Sequence, residues 1–311
     1  MIPHGKTALK IGCRTAIAVF IVALIFLFVA GLTLTRLAYT IPPSDREIPS
    51  SVTDALGAGA INVTCIRSDE GYAPGWYKSG TKNAAIVLCH GLGATRAQLA
   101  NLARFLNEQG WGVLLIDQCG HGKHPFPLTT FGRSEAKDAL AAVEWLRDRP
   151  EIDPKKIGLF GASMGATTVI HAASQDENLD CAVADSSYSV FRDQVYHDLE
   201  YGKSPVKIGK RWHRTVYSFF QFFSRFVIGK WAETEDPVEA VKKIKCPLFL
   251  IHGENDRRID PSDLGELTEA ARDAGIDMIS WQVPNADHCD YHKDTEFRNR
   301  LLAFFRKNLD G

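Results

Sequence analysis

No charge of either sign dominates this chain of 311 residues: 36 Lys and Arg stand against 37 Asp and Glu, a net charge of −1, with an isoelectric point near 6.8. That balance removes the general electrostatic reason to expect a nucleic-acid partner. No internal repeat is visible. A phosphate-cradling G-x-x-x-x-G-K-[ST] loop is also missing, because the glycines at 161 and 165 lack the lysine, so that route to nucleotide hydrolysis is excluded. Cys119, His121 and His124 lie close together in sequence, but no second cluster completes a four-ligand set, and neither a metal nor another cofactor is expected.

The seven cysteines do not read as a disulfide framework. Cys65, Cys89 and Cys181 fall inside apolar, strand-like runs that suit small buried side chains. Cys119, Cys246 and Cys289 stand in loop-like positions from which a pair is possible without any partner being indicated. Cys13 is either a passive thiol or a palmitoylation site at a membrane edge. Asn62-Val63-Thr64 fits a glycosylation sequon, which matters only in a eukaryotic secretory pathway.

Charge is wholly absent from Thr15 to Thr35, about 21 residues that as a helix would span roughly 30 Å, the thickness of a bilayer core. Lys6, Lys10 and Arg14 precede it, whereas Arg36 and Arg46 after it are accompanied by Asp45 and Glu47. The positive-inside bias then puts residues 1–14 in the cytoplasm and the rest of the chain outside, as a single-pass protein of the cell membrane. A cleaved signal is the competing reading. Its apolar core would be shorter and its cut flanked by small residues, yet Ala38 has Arg36 at −3 and Ala30 has Phe28. The anchor is therefore preferred. Residues 36–59, rich in Pro, Ser and Ala from 41 to 58, read as a tether.

From about residue 60 to 311 strand-like and helix-like segments alternate. Strands are expected near 61–67, 74–78, 84–89, 112–117, 156–160, 180–185, 247–251 and 278–283, with helices near 95–109, 133–148, 164–175, 262–274 and 294–308. Such alternation implies an α/β domain built on a mostly parallel sheet covered on both faces, with its site at the carboxyl ends of the strands. One of those ends reads Gly161-Ala162-Ser163-Met164-Gly165. A strand turning sharply into a helix needs small residues beside the turn, and it pushes the serine at the apex into an exposed, strained position in front of helix N–H groups. A serine before a helix is commonly only a cap, so the reading needs partners. They occur at other strand ends: His90-Gly91-Leu92-Gly93, Asp117 with Gly120-His121-Gly122, Asp256 after "LFLIHGEN", and His288 in "PNADHCDYH".

The order Ser163, Asp256, His288, the His90-Gly91 turn, the D-x-x-G-H-G stretch and H-G-x-x-D at 252–256 together resemble the α/β-hydrolase fold over nearly the whole of 60–309. "EIDPKKIGLFGASMGATT" and "IHGENDRRID" resemble the bacterial branch that groups membrane-anchored hydrolases with serine aminopeptidase-like enzymes. The resemblance implies an eight-stranded sheet flanked by helices, with a helical cap at about 191–236 inserted before the strand at 247–251. It implies Ser163 as nucleophile, His288 as base, Asp256 as the acid that orients it, and the backbone amides of Leu92 and Met164 as the oxyanion hole. Asp185 is the reserve acid, since some hydrolases of this fold carry it at that strand. His90, His121 and His252 are expected to brace loops.

The expected cap is the least family-like part. From Gly202 to Trp231 it carries seven Lys or Arg, no Asp or Glu, and eight aromatics. An ordinary amphipathic helix with a solvated basic face accounts for this. A lid with an apolar underside for an acyl chain and a basic rim near anionic headgroups is the sharper alternative. The expectation is a serine hydrolase acting on a carboxylic ester or thioester, its substrate apolar or lipid-like. A serine peptidase of the aminopeptidase-like branch and a non-catalytic binding domain of the same fold are the alternatives.

Overall fold

The computed structural model describes residues 4–42, 51–69, 71–202 and 208–311, with side chains of 4–18, 231 and 233 outside that description. Eight strands form one sheet: β1 (Ile61–Ile66), β2 (Tyr72–Lys78), β3 (Ala85–Cys89), β4 (Gly112–Ile116), β5 (Ile157–Ala162), β6 (Cys181–Asp185), β7 (Leu248–Gly253) and β8 (Met278–Val283). Their spatial order is β1-β2-β4-β3-β5-β6-β7-β8. β1 and β2 pair antiparallel, β2 pairs antiparallel with β4, and every other pairing is parallel.

The central strands are buried throughout because helices cover both faces, which is why they read as unbroken apolar runs. On one face Val87, Leu114 and Leu159 pack against α4 (Ala136–Arg147), α5 (Met164–Ala173) and α9 (Ser262–Asp273). On the other, Ile86, Leu88, Leu115 and Phe160 meet α2 (Val52–Leu56), α3 (Ala100–Glu108) and α10 (Thr295–Leu309). The alternation of side chains along each strand divides the core into these two layers.

The cap lies between β6 and β7: α6 (Phe191–Tyr201), a 3-10 turn at Lys210–Trp212, α7 (His213–Val227), a second 3-10 turn at Gly229–Glu233, and α8 (Pro237–Ala240). Tyr217 and Phe220 of α7 pack inward on Tyr188, Phe191 and Ile259. Phe219, Phe222 and Phe226 point outward and are about half exposed. Of the basic run, Lys203 and Lys207 lie outside the described residues, and Lys210 pairs with Glu200 at 3.1 Å.

α1 (His4–Ala38) is one continuous helix, and its stretch Val19–Ala38 is long and apolar enough to cross a membrane, with a mean hydropathy of 2.4. It does not end in a free tether. Phe28 meets Phe223 and Phe226 of α7 with ring centroids 5.4 and 5.6 Å apart. Gly31 matters here, because a Cβ at that position would stand 2.3 Å from the Phe223 ring. Beyond the helix, Tyr39 is fully buried, stacks on Phe220 at 5.3 Å and bonds through its hydroxyl to Ser224 at 3.0 Å. Its carbonyl accepts the N–H of Thr129 at 2.9 Å, and the Thr129 hydroxyl lies 3.4 Å from the Met164 sulfur. The 36–59 stretch is thus packed at both described ends, since Ile41, Val52 and Leu56 are buried too; residues 43–50 lie outside the described residues.

Candidate active site

β5 ends at Ala162 and α5 begins at Met164, leaving Ser163 alone at the turn with φ 57° and ψ −122°. A side chain other than glycine's rarely takes that backbone, and the surroundings must hold it there. The flanking glycines explain how the strand and helix come so close. A Cβ on Gly161 would lie 2.0 Å from the Gly165 carbonyl oxygen, and one on Gly165 would lie 2.0 Å from the Cys89 carbonyl oxygen. The Ser163 N–H is donated to the Asp185 carbonyl at 2.7 Å, and its own carbonyl accepts the Ala166 N–H at 2.8 Å.

Three residues past β7, Asp256 turns one carboxylate oxygen back to its own loop, where Oδ1 accepts the N–H groups of Arg258 (2.8 Å) and Ile259 (3.1 Å). This fixes the side chain and frees Oδ2, which accepts His288 Nδ1–H at 2.6 Å and has His252 Nε2 at 3.1 Å. Burial alone would raise the Asp256 carboxyl; the His252 and His288 imidazoles against it hold it well below the usual carboxylate range instead. With its proton on Nδ1, His288 presents a bare Nε2 to the Ser163 hydroxyl, 2.8 Å away. The three expected residues, drawn from three strand ends, therefore form one continuous hydrogen-bonded chain.

The loop after β3 closes over the other side of the serine. A Cβ on Gly91 would stand 3.3 Å from that of Ser163, and the Gly91 N–H is held by Gln98 Oε1 at 2.8 Å. His90 bridges the Gly91 carbonyl (2.8 Å) and the Gln118 N–H (3.2 Å), and burial lowers its pKa well below the ordinary histidine value. His121 spans the Cys119 carbonyl (2.7 Å) and the Gly93 N–H (3.1 Å). Both brace the loop, as expected of them. Leu92, on this loop, and Met164, the first residue of α5, lie on either side of Ser163 in the elements expected to supply the oxyanion hole.

Asp185, the reserve acid, meets a different histidine. Its buried carboxylate is bonded by His292 Nε2 at 2.6 Å, by Ser186 Oγ at 3.1 Å and by the Tyr291 hydroxyl. Cys289 lies near Asp185 and His292, and burial pushes its thiol well above the ordinary value. Cys119 and His124 do converge, on Asp138 rather than on His121. Arg67 fills that cluster with its guanidinium, 2.8 Å from the Cys119 sulfur and 2.6 Å from Asp138, so a cation of the protein's own already neutralises it. Nothing in the sequence around Arg67 signals this role, because its partners lie 52 and 71 residues away. The six described cysteines are all unpaired.

The model of the prolyl oligopeptidase family matches residues 99–311, more than half of the chain. The chain belongs to the prolyl oligopeptidase family. Its sheet and elbow are those of the α/β-hydrolase fold, the fold of serine hydrolases. The uncharacterised protein Rv2307c of Mycobacterium tuberculosis is 34% identical over 172 residues, 52% of this chain and 58% of that one. Human ABHD12B is 28% identical over 209 residues, 64% of this chain and 53% of that one. The chain thus spans little more than half the length of these relatives. Among solved structures the Pyrococcus furiosus esterase Pf2001 is 26% identical, with a TM-score of 0.71 over 87% of this chain and 98% of that one. The acylaminoacyl peptidase of Pyrococcus horikoshii, 19% identical, shares the fold with a TM-score of 0.61 over 80% of this chain and 42% of its own.

Proposed function

We propose that this protein is a serine hydrolase that cleaves a carboxylic ester or thioester through an acyl-serine intermediate, on a substrate that is apolar or lipid-like. The unbroken hydrogen-bonded chain Asp256–His288–Ser163 carries the reading. A serine hydroxyl is a poor nucleophile until a base takes its proton. Ser163 Oγ attacks the acyl carbonyl as its proton passes to His288 Nε2, and Asp256 stabilises the imidazolium formed. The tetrahedral oxyanion accepts the N–H groups of Leu92 and Met164, each such donor being worth about 3–4 kcal/mol of transition-state stabilisation in comparable sites. His288 then protonates the leaving alcohol or thiol. It next takes a proton from water, whose oxygen attacks the acyl-serine and releases the acid and Ser163.

The ester reading is favoured by the likeness to the Pyrococcus esterase, which this chain covers almost entirely. The family matched and the acylaminoacyl peptidase neighbour favour a peptidase as the second reading, for which the same residues serve with an amine as leaving group. A non-catalytic binding domain would have no use for all three of these residues in register. The 19–38 stretch of α1 supports a single-pass membrane anchor, and the positive-inside bias supports an extracytoplasmic domain. Intact-mass labelling with a fluorophosphonate, followed by acyl esters of increasing length and a panel of aminoacyl amides, tests the proposal. One adduct is expected on the native chain and none on Ser163→Ala, whose turnover should fall by several orders of magnitude with the fold unchanged. Full labelling of Ser163→Ala would move the nucleophile elsewhere and end the mechanism.

A further inference from the structure

Apart from the contact of Phe226 with Phe28 of α1, the outward face of α7 is open among the described residues, with Phe219, Phe222 and Phe226 49, 50 and 59% exposed on it. Their position beside α1 identifies what covers them. Along α1 the contacts run Phe28, Gly31, Tyr39, while along α7 the matching residues run Phe226, Phe223, Phe220. The two helices are therefore antiparallel, and α7 descends along α1 from its C-terminal end. Phe28 precedes Thr35, the end of the uncharged run, by seven residues, which at the rise of a helix is about 10 Å. Phe226, packed on Phe28, stands at the same depth. On α1 the residues around that level are bare as well: Ile25, Phe26, Leu27 and Val29 are all more than half exposed.

Chemistry is graded along α7 in the same sense. Lys210, Arg211, Trp212 and Arg214 cluster at its upper end, level with or above the α1 terminus, and Trp212 is 52% exposed. The three bare phenylalanines follow below them. Arg225 is the one charged residue between Ser218 and Val227, and its long apolar stem lets such a side chain carry the charge upward. Basic groups and tryptophan at headgroup level with phenylalanine beneath them is the composition of a helix lying in a bilayer interface.

We propose that the aromatic face of α7 is immersed in the phospholipid leaflet at the C-terminal end of α1, so that the cap is itself a membrane-inserted element and acyl chains are its partner. This rests on the reading of α1 as a membrane anchor. It goes beyond that reading by placing part of the lid in the hydrocarbon, next to the site where a lipid-like ester would be taken up.

Full-length Phe226→Trp and Ile279→Trp proteins, reconstituted into vesicles of phosphatidylcholine and phosphatidylglycerol with acyl chains brominated near their middle, test the inference. Ile279 lies on β8, at the far edge of the sheet. Each signal is read as the difference from the native chain, and circular dichroism with a native-like melting transition certifies that each variant is folded. The added fluorescence of Phe226→Trp should be quenched several-fold more than that of Ile279→Trp. If the chain floats with the vesicles and the two are quenched alike, α7 is outside the bilayer; the inference is overturned and the anchor stands. Equal quenching with cross-links between copies would give the face to a second copy and overturn it equally, while failure to float would remove both anchor and inference. None of these readouts needs turnover, so the hydrolase reading fails or survives separately.

Discussion

The carbonyl of Asp185 accepts the N–H of Ser163 at 2.7 Å, while the carboxylate of the same residue binds His292 and Tyr291, which follow His288 on its loop. One buried residue thereby ties the backbone of Ser163 to the segment that carries His288. On the proposed mechanism its part is structural, and that separates it from Asp256, whose carboxylate bonds His288 itself.

Asp256→Asn should keep the fold and cut turnover by up to about 10⁴, as loss of the orienting carboxylate does in other triads. Asp185→Asn should leave turnover per labelled molecule within a few-fold of native and lower stability by about 1–3 kcal/mol, the cost of an unmade buried hydrogen bond. Active-site titration alongside urea unfolding separates the two effects. A collapse of turnover confined to Asp185→Asn would hand the acid's role to that residue.

A second carboxylate sets a pH dependence of stability. Asp263, in the first turn of α9, is buried against Ser189, and burial raises its pKa from 3.8 to about 6. The folded state therefore holds this proton more tightly than the unfolded chain does. Its contribution is complete below about pH 4 and is lost as the pH rises through 6. Asp263→Asn should match the native chain in stability at pH 4 and exceed it at pH 7–8, by about 2–3 kcal/mol at most. Equal stability of the two at both pH values in chemical denaturation would show that Asp263 keeps an ordinary pKa.

The junction of helix and domain makes a third prediction. Tyr39 joins Leu128, Ile228 and Ala232 in a small core of its own. Tyr39→Ala should cost about 3–5 kcal/mol, as truncations of buried aromatics do, and Tyr39→Phe only about 1 kcal/mol for the bond to Ser224. A chain begun at Ser51, the obvious soluble version, should melt lower and aggregate more readily than one begun at Thr35. Equal melting temperatures for those two chains would show that the Tyr39 core contributes nothing.

Most of the catalytic domain was legible because its signals are local. Every expected strand matches an observed one to within two residues at either end, since each is a short apolar run closed by turn residues. Ser163, Asp256 and His288 stand out by their neighbours in sequence, and the structure brings those same three together. What escaped depends on long-range partners. Gly31 reads as one more small residue in an apolar helix until Phe223, 192 positions later, is packed against it. Residues 36–42 read as tether by composition, yet Tyr39 finds Ser224 across 185 residues. Periodicity shows that α7 is amphipathic and not which way it faces; its contact with α1 decides that.

The Tyr39 carbonyl just beyond α1 accepts the Thr129 N–H, and Thr129 touches Met164, so a continuous run of contacts joins the helix to the turn that carries Ser163. The helix then acts as a ruler. On the proposed mechanism, that run of contacts sets the height and azimuth of Ser163 around the α1 axis. Four extra residues in the last turns of α1 would raise the elbow by about 6 Å and swing it by about 40°. They would also tear Phe223 from its notch at Gly31, so the length of α1 below Tyr39 is as much a part of the active-site geometry as the glycines beside the serine.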